Sequence, residues 1–153
     1  MKLLFENWRN YLLTESMSEE EVQSIVSRVY PQIVNDRGPA HKPGVPKIEL
    51  HADIYARYSD TPGMEGEVSG EAKAEFVDED NAIYVYFPNM TNEEDVIRSI
   101  LHEYEHARQD PKIYDKFREL GFDGLDNPYE KAARKAEEGW RKYSIGSAGK
   151  VPE

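Results

Sequence analysis

The apolar positions along this chain change period several times, and each change marks an element. Residues 1–13 put Leu4, Phe5, Trp8, Tyr11 and Leu12 on one face of an amphipathic helix. Ser18-Glu-Glu-Glu21 has the form of a capping box, and Val22, Ile25, Val26 and Val29 follow at helical spacing, which predicts a helix to about residue 30. Residues 31–46 are rich in Pro, Gly and charge and read as a loop that separates a helical lead-in from the rest. From residue 47 the period falls to two: Ile48, Leu50, Ala52, Ile54 and Ala56 alternate with more polar neighbours, predicting a strand over 47–58. His51 falls on its polar, exposed side, and His41 sits solvated in the preceding loop. Residues 59–70 read as a Gly-containing loop.

A short run of β-branched and aromatic residues, 81–87, predicts a strand closed by Pro88. Thr91-Asn-Glu-Glu94 is a second capping box, for a helix from about Asn92 whose buried stripe is Val96, Ile97, Ile100 and Leu101. Asp110-Pro111 ends it, because a residue before proline is pushed out of the helical region. A short helix over 112–120, stopped by Gly121, and a loop over 121–126 come next. Asn127 as cap and Pro128 at the first helical position open the last helix. The tail from Ser144, with Gly146, Gly149 and Pro152, is expected to be poorly ordered.

Composition narrows the partners. A chain of 153 residues suits one compact unit, and a mean hydropathy of −0.79 assigns much of it to surface or tail. A net charge of −11 argues against nucleic acid, which needs concentrated Lys and Arg. The acidic runs at 19–21, 78–80 and 93–95 serve solubility and helix starts. No cysteine is present, so there are no disulfides and no inference about redox compartment. Glu6, Asn7, Arg9 and Asn10 interrupt any apolar run in the first helix, so it is neither a secretion signal nor a membrane span.

The chemistry lies in His102-Glu-Tyr-Glu-His106. Residues four apart share one helix face, so His102 and His106 can place two imidazole nitrogens on one metal ion. Glu103 sits beside that face, where it can reach a metal-bound water. The buried stripe before the motif turns the two histidines toward the protein interior. The bland alternative is a polar helix that happens to carry two histidines. A catalytic zinc site wants three protein ligands and one open position. With no cysteine and with His41 and His51 far upstream, a carboxylate on the downstream helix is the simplest completion. Glu130 is the first there, with Glu137 and Glu138 one to two turns on. Glu130 also stands three residues past the Asn127 cap, where a carboxylate can simply satisfy backbone N–H groups.

His-Glu-Tyr-Glu-His followed by Asn-Pro-Tyr-Glu-Lys-Ala-Ala resembles the gluzincin metallopeptidases, and most of all their smallest members, the minigluzincins, with related phage and bacterial proteins. The resemblance spans roughly residues 70–143, including Ala133 as the small residue three positions after the glutamate. It implies zinc held by His102, His106 and Glu130, Glu103 as general base, and an antiparallel edge strand that binds substrate in extended form. Glu71-Ala-Lys-Ala-Glu-Phe-Val77 occupies that strand's place, joined to 81–87 by the turn-like Asp78-Glu-Asp80. The expected fold is α+β and zincin-like: a small, mostly antiparallel sheet, an active-site helix and a downstream glutamate helix, in a catalytic domain over 47–143. Residues 1–15 form a leader or helix, 16–46 a lead-in and 144–153 a tail.

The expected function is that of a zinc endopeptidase acting on peptides or proteins. Zinc acidifies its bound water and polarises a carbonyl, Glu103 carries the proton, and a second group stabilises the oxyanion. Tyr114, Tyr129, Tyr143, His51 and Arg134 are equal candidates for that group. Met-Lys-Leu-Leu-Phe-Glu-Asn-Trp-Arg-Asn-Tyr-Leu resembles the leaders of head and internal proteins of large tailed phages, with Leu13-Thr14-Glu15 in the form of a processing site, although Leu101-His102-Glu103 matches that form too. This resemblance implies a phage-encoded protein, in the host cytoplasm or the virion, which residues 1–15 direct to the phage head. The rival readings are a phage structural protein whose zinc serves only the fold, and a binding module that captures a peptide on its sheet edge.

Overall fold

A computed structural model of the chain describes residues 16–52 and 72–145. The amphipathic leader, the far half of the 47–58 strand, the 59–70 loop, Glu71 and the tail from Gly146 lie outside the described residues.

Helix α1, Glu19–Arg37, starts as its capping box dictates: Ser18 accepts from the Glu21 N–H, and Glu21 accepts from the Ser18 N–H. It runs past residue 30, through Pro31. Proline removes one backbone donor but its φ is already helical, and Pro31 is exposed while Ile33, four residues after Val29, is fully buried. The apolar stripe Val22, Val26, Val29, Ile33 carries the helix across the break.

Three strands follow, β1 (Lys47–His51), β2 (Ala74–Val77) and β3 (Ala82–Tyr86), in the order β1-β3-β2. β2 and β3 form the expected hairpin, turned by 78–81 with Asn81 at φ 48°. β1, however, is parallel to β3, so the sheet is mixed and not mostly antiparallel. Alternation tells which face a residue takes and nothing about strand direction. Ile48, Leu50, Ala74, Phe76, Ile83 and Val85 face the helices, while Ala82, Tyr84 and Tyr86 make a second small cluster on the opposite face. His51 lies on that opposite face, edge-on to Tyr84 at 5.2 Å, and is half-buried where exposure was expected.

Helix α2, Glu93–Arg108, is the spine, with Val96, Ile97, Ile100, Leu101, Tyr104 and Ala107 buried against α1, β2 and a later helix, α4 (Pro128–Glu137). Its cap is shifted by one from the expected box. Asn92 accepts from the Asp95 N–H, and Asp95 accepts from the N–H and Oγ of Thr91. Glu94 is released to pair with Arg98 at 2.8 Å. Asp110 caps α3, Pro111–Glu119, and a 3-10 turn at Gly124–Asp126 leads to α4, capped by Asn127 onto the Tyr129 N–H. A last turn, Trp140–Tyr143, brings the buried Tyr143 hydroxyl to Asp36 of α1 at 2.8 Å. No helix among the described residues is long and apolar enough to cross a membrane.

Candidate metal centre

The second half of α2 presents His102 and His106 one turn apart, side chains 21% and 15% exposed, with ring centroids 4.9 Å apart. Glu130 meets them from the first turn of α4. Its Oε1 lies 2.9 Å from His106 Nε2 and its Oε2 3.5 Å from His102 Nε2. The cap of α4 is supplied by Asn127, which is fully buried, so the Glu130 carboxylate is turned to the histidines. One ligand atom from each of the three residues lies within 4.8 Å of the others. A tetrahedral ion with bonds near 2.0–2.1 Å needs ligand atoms roughly 3.3 Å apart, and the two distances from Glu130 bracket that value. The nitrogen, nitrogen, oxygen set could hold a metal ion, and zinc is among the ions that take such donors.

Each histidine is gripped from behind. His102 Nδ1 lies 2.8 Å from Glu137 Oε2, and Arg98 stands 3.9 Å from the other Glu137 oxygen. Glu137 therefore faces the back of His102 and is not part of the donor set. Glu138 is exposed. His106 Nδ1 lies 2.8 Å from Gln109 Oε1, and Gln109 Nε2 donates to the Tyr129 carbonyl at 3.0 Å. A carboxylate can only accept, so His102 donates from Nδ1 to Glu137, which leaves Nε2 as the nitrogen that faces the cluster.

The electrostatics follow from this crowding. Burial opposes charge on His102, but Glu130, Glu103 and Glu137 outweigh it and lift its pKa to about 9. His106 is raised in the same way, against burial, chiefly by Glu130 and Glu103. The two imidazoles hold Glu130 far below the usual carboxylate range. Glu103 goes the other way: burial pushes it up to about 7, against the pull of His102 and His106.

Glu103 also touches the sheet, its Oε2 accepting from the Phe76 N–H at 2.7 Å. The Tyr86 N–H bonds to the Lys73 carbonyl, so Lys73, Glu75 and Val77 turn their main-chain groups to β3, and Ala74 and Phe76 turn theirs outward. Among the described residues no strand covers that outer edge. Phe76, His102, Glu103, His106, Tyr114 and Glu130 line a cleft of about 340 Å³ that has no Lys or Arg in its described wall.

Of the five candidates for the oxyanion, Tyr114 lines the cleft, and its hydroxyl donates to Glu130 Oε1 at 3.3 Å. The Tyr129 ring packs edge-on against Phe117, the Tyr143 hydroxyl is taken by Asp36, Arg134 donates to the Leu125 carbonyl, and His51 is on the far face of the sheet. Gln109 and the Phe76 N–H were outside the sequence reading. Gln109 has one legible signal, its place three residues after His106 at a helix end; a backbone N–H has none. No family model, no curated protein and no solved structure matches this chain.

Proposed function

We propose that this protein is a zinc-dependent endopeptidase of the gluzincin-like, zincin type, with His102, His106 and Glu130 as ligands and Glu103 as general base. The observation that carries the reading is the position of Glu103. It stands beside the donor set, between the cleft and a strand edge, with a pKa near neutrality. A zinc site that serves only the fold gives such a carboxylate no role beyond its bond to the Phe76 N–H.

When bound, zinc supplies Lewis acidity, polarising a carbonyl and acidifying a water. The rest falls to the chain. Glu103 Oε2 is held by the Phe76 N–H, which leaves Oε1 to accept a proton and return it to a leaving amine. A pKa near 7 suits both transfers at neutral pH. Tyr114, already a donor into the donor set, supplies the second hydrogen bond to a developing oxyanion. The outward main-chain groups of Ala74 and the Phe76 carbonyl offer ladder bonds to an extended peptide. Glu137 and Arg98 keep His102 in the ligating tautomer.

The test is cleavage of a diverse peptide mixture read by mass spectrometry, comparing zinc-loaded protein with Glu103→Gln. Cuts that vanish in the variant, with zinc retained, are expected, a loss of about 10²–10⁴ in rate. Zinc bound by both and no cuts by either would favour a structural ion.

A further inference from the structure

We infer that Gln109 is a positioning residue of this centre, one side chain that sets which ring nitrogen of His106 faces the donor set and the reach of Glu130 together. The inference rests on the proposed zinc site. It begins with the chain path. Asp110-Pro111 forbids another helical turn, so α2 stops at Arg108 and Gln109 leaves it in an extended conformation, φ −87°, ψ 153°, its N–H bonded to the His106 carbonyl. That exit lets the side chain fold back over His106. It is 8% exposed and bonded at both ends.

The two bonds fix each other. The Tyr129 carbonyl can only accept, so the amide nitrogen of Gln109 must face it and Oε1 must face His106. An amide oxygen can only accept, so His106 donates from Nδ1 to Gln109, and Nε2, which donates to Glu130 in this chain, is the nitrogen left to a metal once its proton is displaced. The second bond ends on the residue just before Glu130, at the start of α4. Gln109 thus ties the end of α2 to the start of α4 and holds a nitrogen and an oxygen of the donor set in register. A neutral amide achieves for His106 what the Glu137 carboxylate achieves for His102.

The experiment compares Gln109→Met, which removes both bonds at similar volume, with Gln109→Glu, which keeps the acceptor for His106. Zinc affinity is read by competition with a chelating dye, and folding by melting of the metal-free proteins. The expected result is a 10–100-fold loss of zinc affinity in Gln109→Met and a smaller loss in Gln109→Glu, with similar metal-free melting temperatures. Wild-type affinity in Gln109→Met overturns the inference. So do equal losses in both variants that follow their melting temperatures, since that pattern belongs to a merely structural contact. If the wild-type protein binds no zinc, the functional reading fails, and the inference is then decided by nitrogen NMR of the His106 Nδ1–H bond to Gln109 in the metal-free protein. An Nδ1 proton of His106 protected from exchange in wild type and lost in Gln109→Met supports it; the same protection, or none, in both overturns it.

Discussion

The two histidines of the proposed centre hold protons that a metal would have to displace. His102, with a pKa of about 9 against an ordinary 6.5, binds its proton more tightly in the folded chain than in the unfolded one. Its contribution to the stability of the metal-free protein is therefore full below about pH 6.5 and lost as pH rises through about 9. Zinc binding runs the opposite way. Affinity should rise with pH up to about 9, by roughly tenfold per unit for each proton released. Calorimetry at pH 7.5 in buffers of different ionisation enthalpy should show that release, and an enthalpy independent of buffer would contradict it. At the same scale, Tyr114→Phe keeps the ring beside His106 and removes only the hydroxyl. It should lower kcat by about 10²–10³ with zinc affinity within a few-fold of wild type. An unchanged kcat would take Tyr114 out of the chemistry.

The elements matter by where they start and stop. α2 carries His102 and His106 because its buried stripe ends in the motif, and α4 brings Glu130 to them because Asn127 starts it at one fixed residue. The Asn127 side chain accepts from Tyr129 N–H and donates to the Tyr114 carbonyl at 3.3 Å, joining α3 to α4 with no solvent exposure. Asn127→Ala should cost about 1–3 kcal/mol, the loss of a cap and a buried bond. Because it frees the turn that bears Glu130, zinc affinity should fall as well. Melting and zinc titration together check this, and a variant that loses stability but not affinity would show that the cap does not set the ligand. α1 teaches a different lesson. Proline alone argued for an end near residue 30, and burial of Ile33 decided otherwise.

For the whole molecule, the centre joins α2 to α4, while β2 contributes the Phe76 N–H from a third layer. An ion held across two helices stabilises the folded state alone. Zinc at one hundred times its Kd should add about 2.7 kcal/mol, which for a chain of this size raises Tm by roughly 5–10 °C. Scanning calorimetry with zinc and with chelator measures it, and a Tm indifferent to chelator would mean that no ion bridges the helices.

The sequence by itself determined which residues are near one another along an element. Spacing of four on a helix put His102 and His106 on one face, caps placed α2 and α4 to within a residue, and the absence of cysteine pointed to a carboxylate as the third member of the group. These are local properties, set by backbone periodicity and by the groups a helix end leaves unbonded. Only the tertiary structure decided what depends on distance through space. It chose Glu130 over Glu137 as the residue facing both histidines, gave Glu137 the back of His102, put Tyr114, of the five candidates, in the cleft beside Glu130, and set β1 parallel to β3. It also brought Gln109 and the Phe76 N–H to the centre. No periodicity encodes such meetings, because they arise from how helices pack on a sheet, and an amide or a backbone N–H carries no signature until a partner stands 3 Å away.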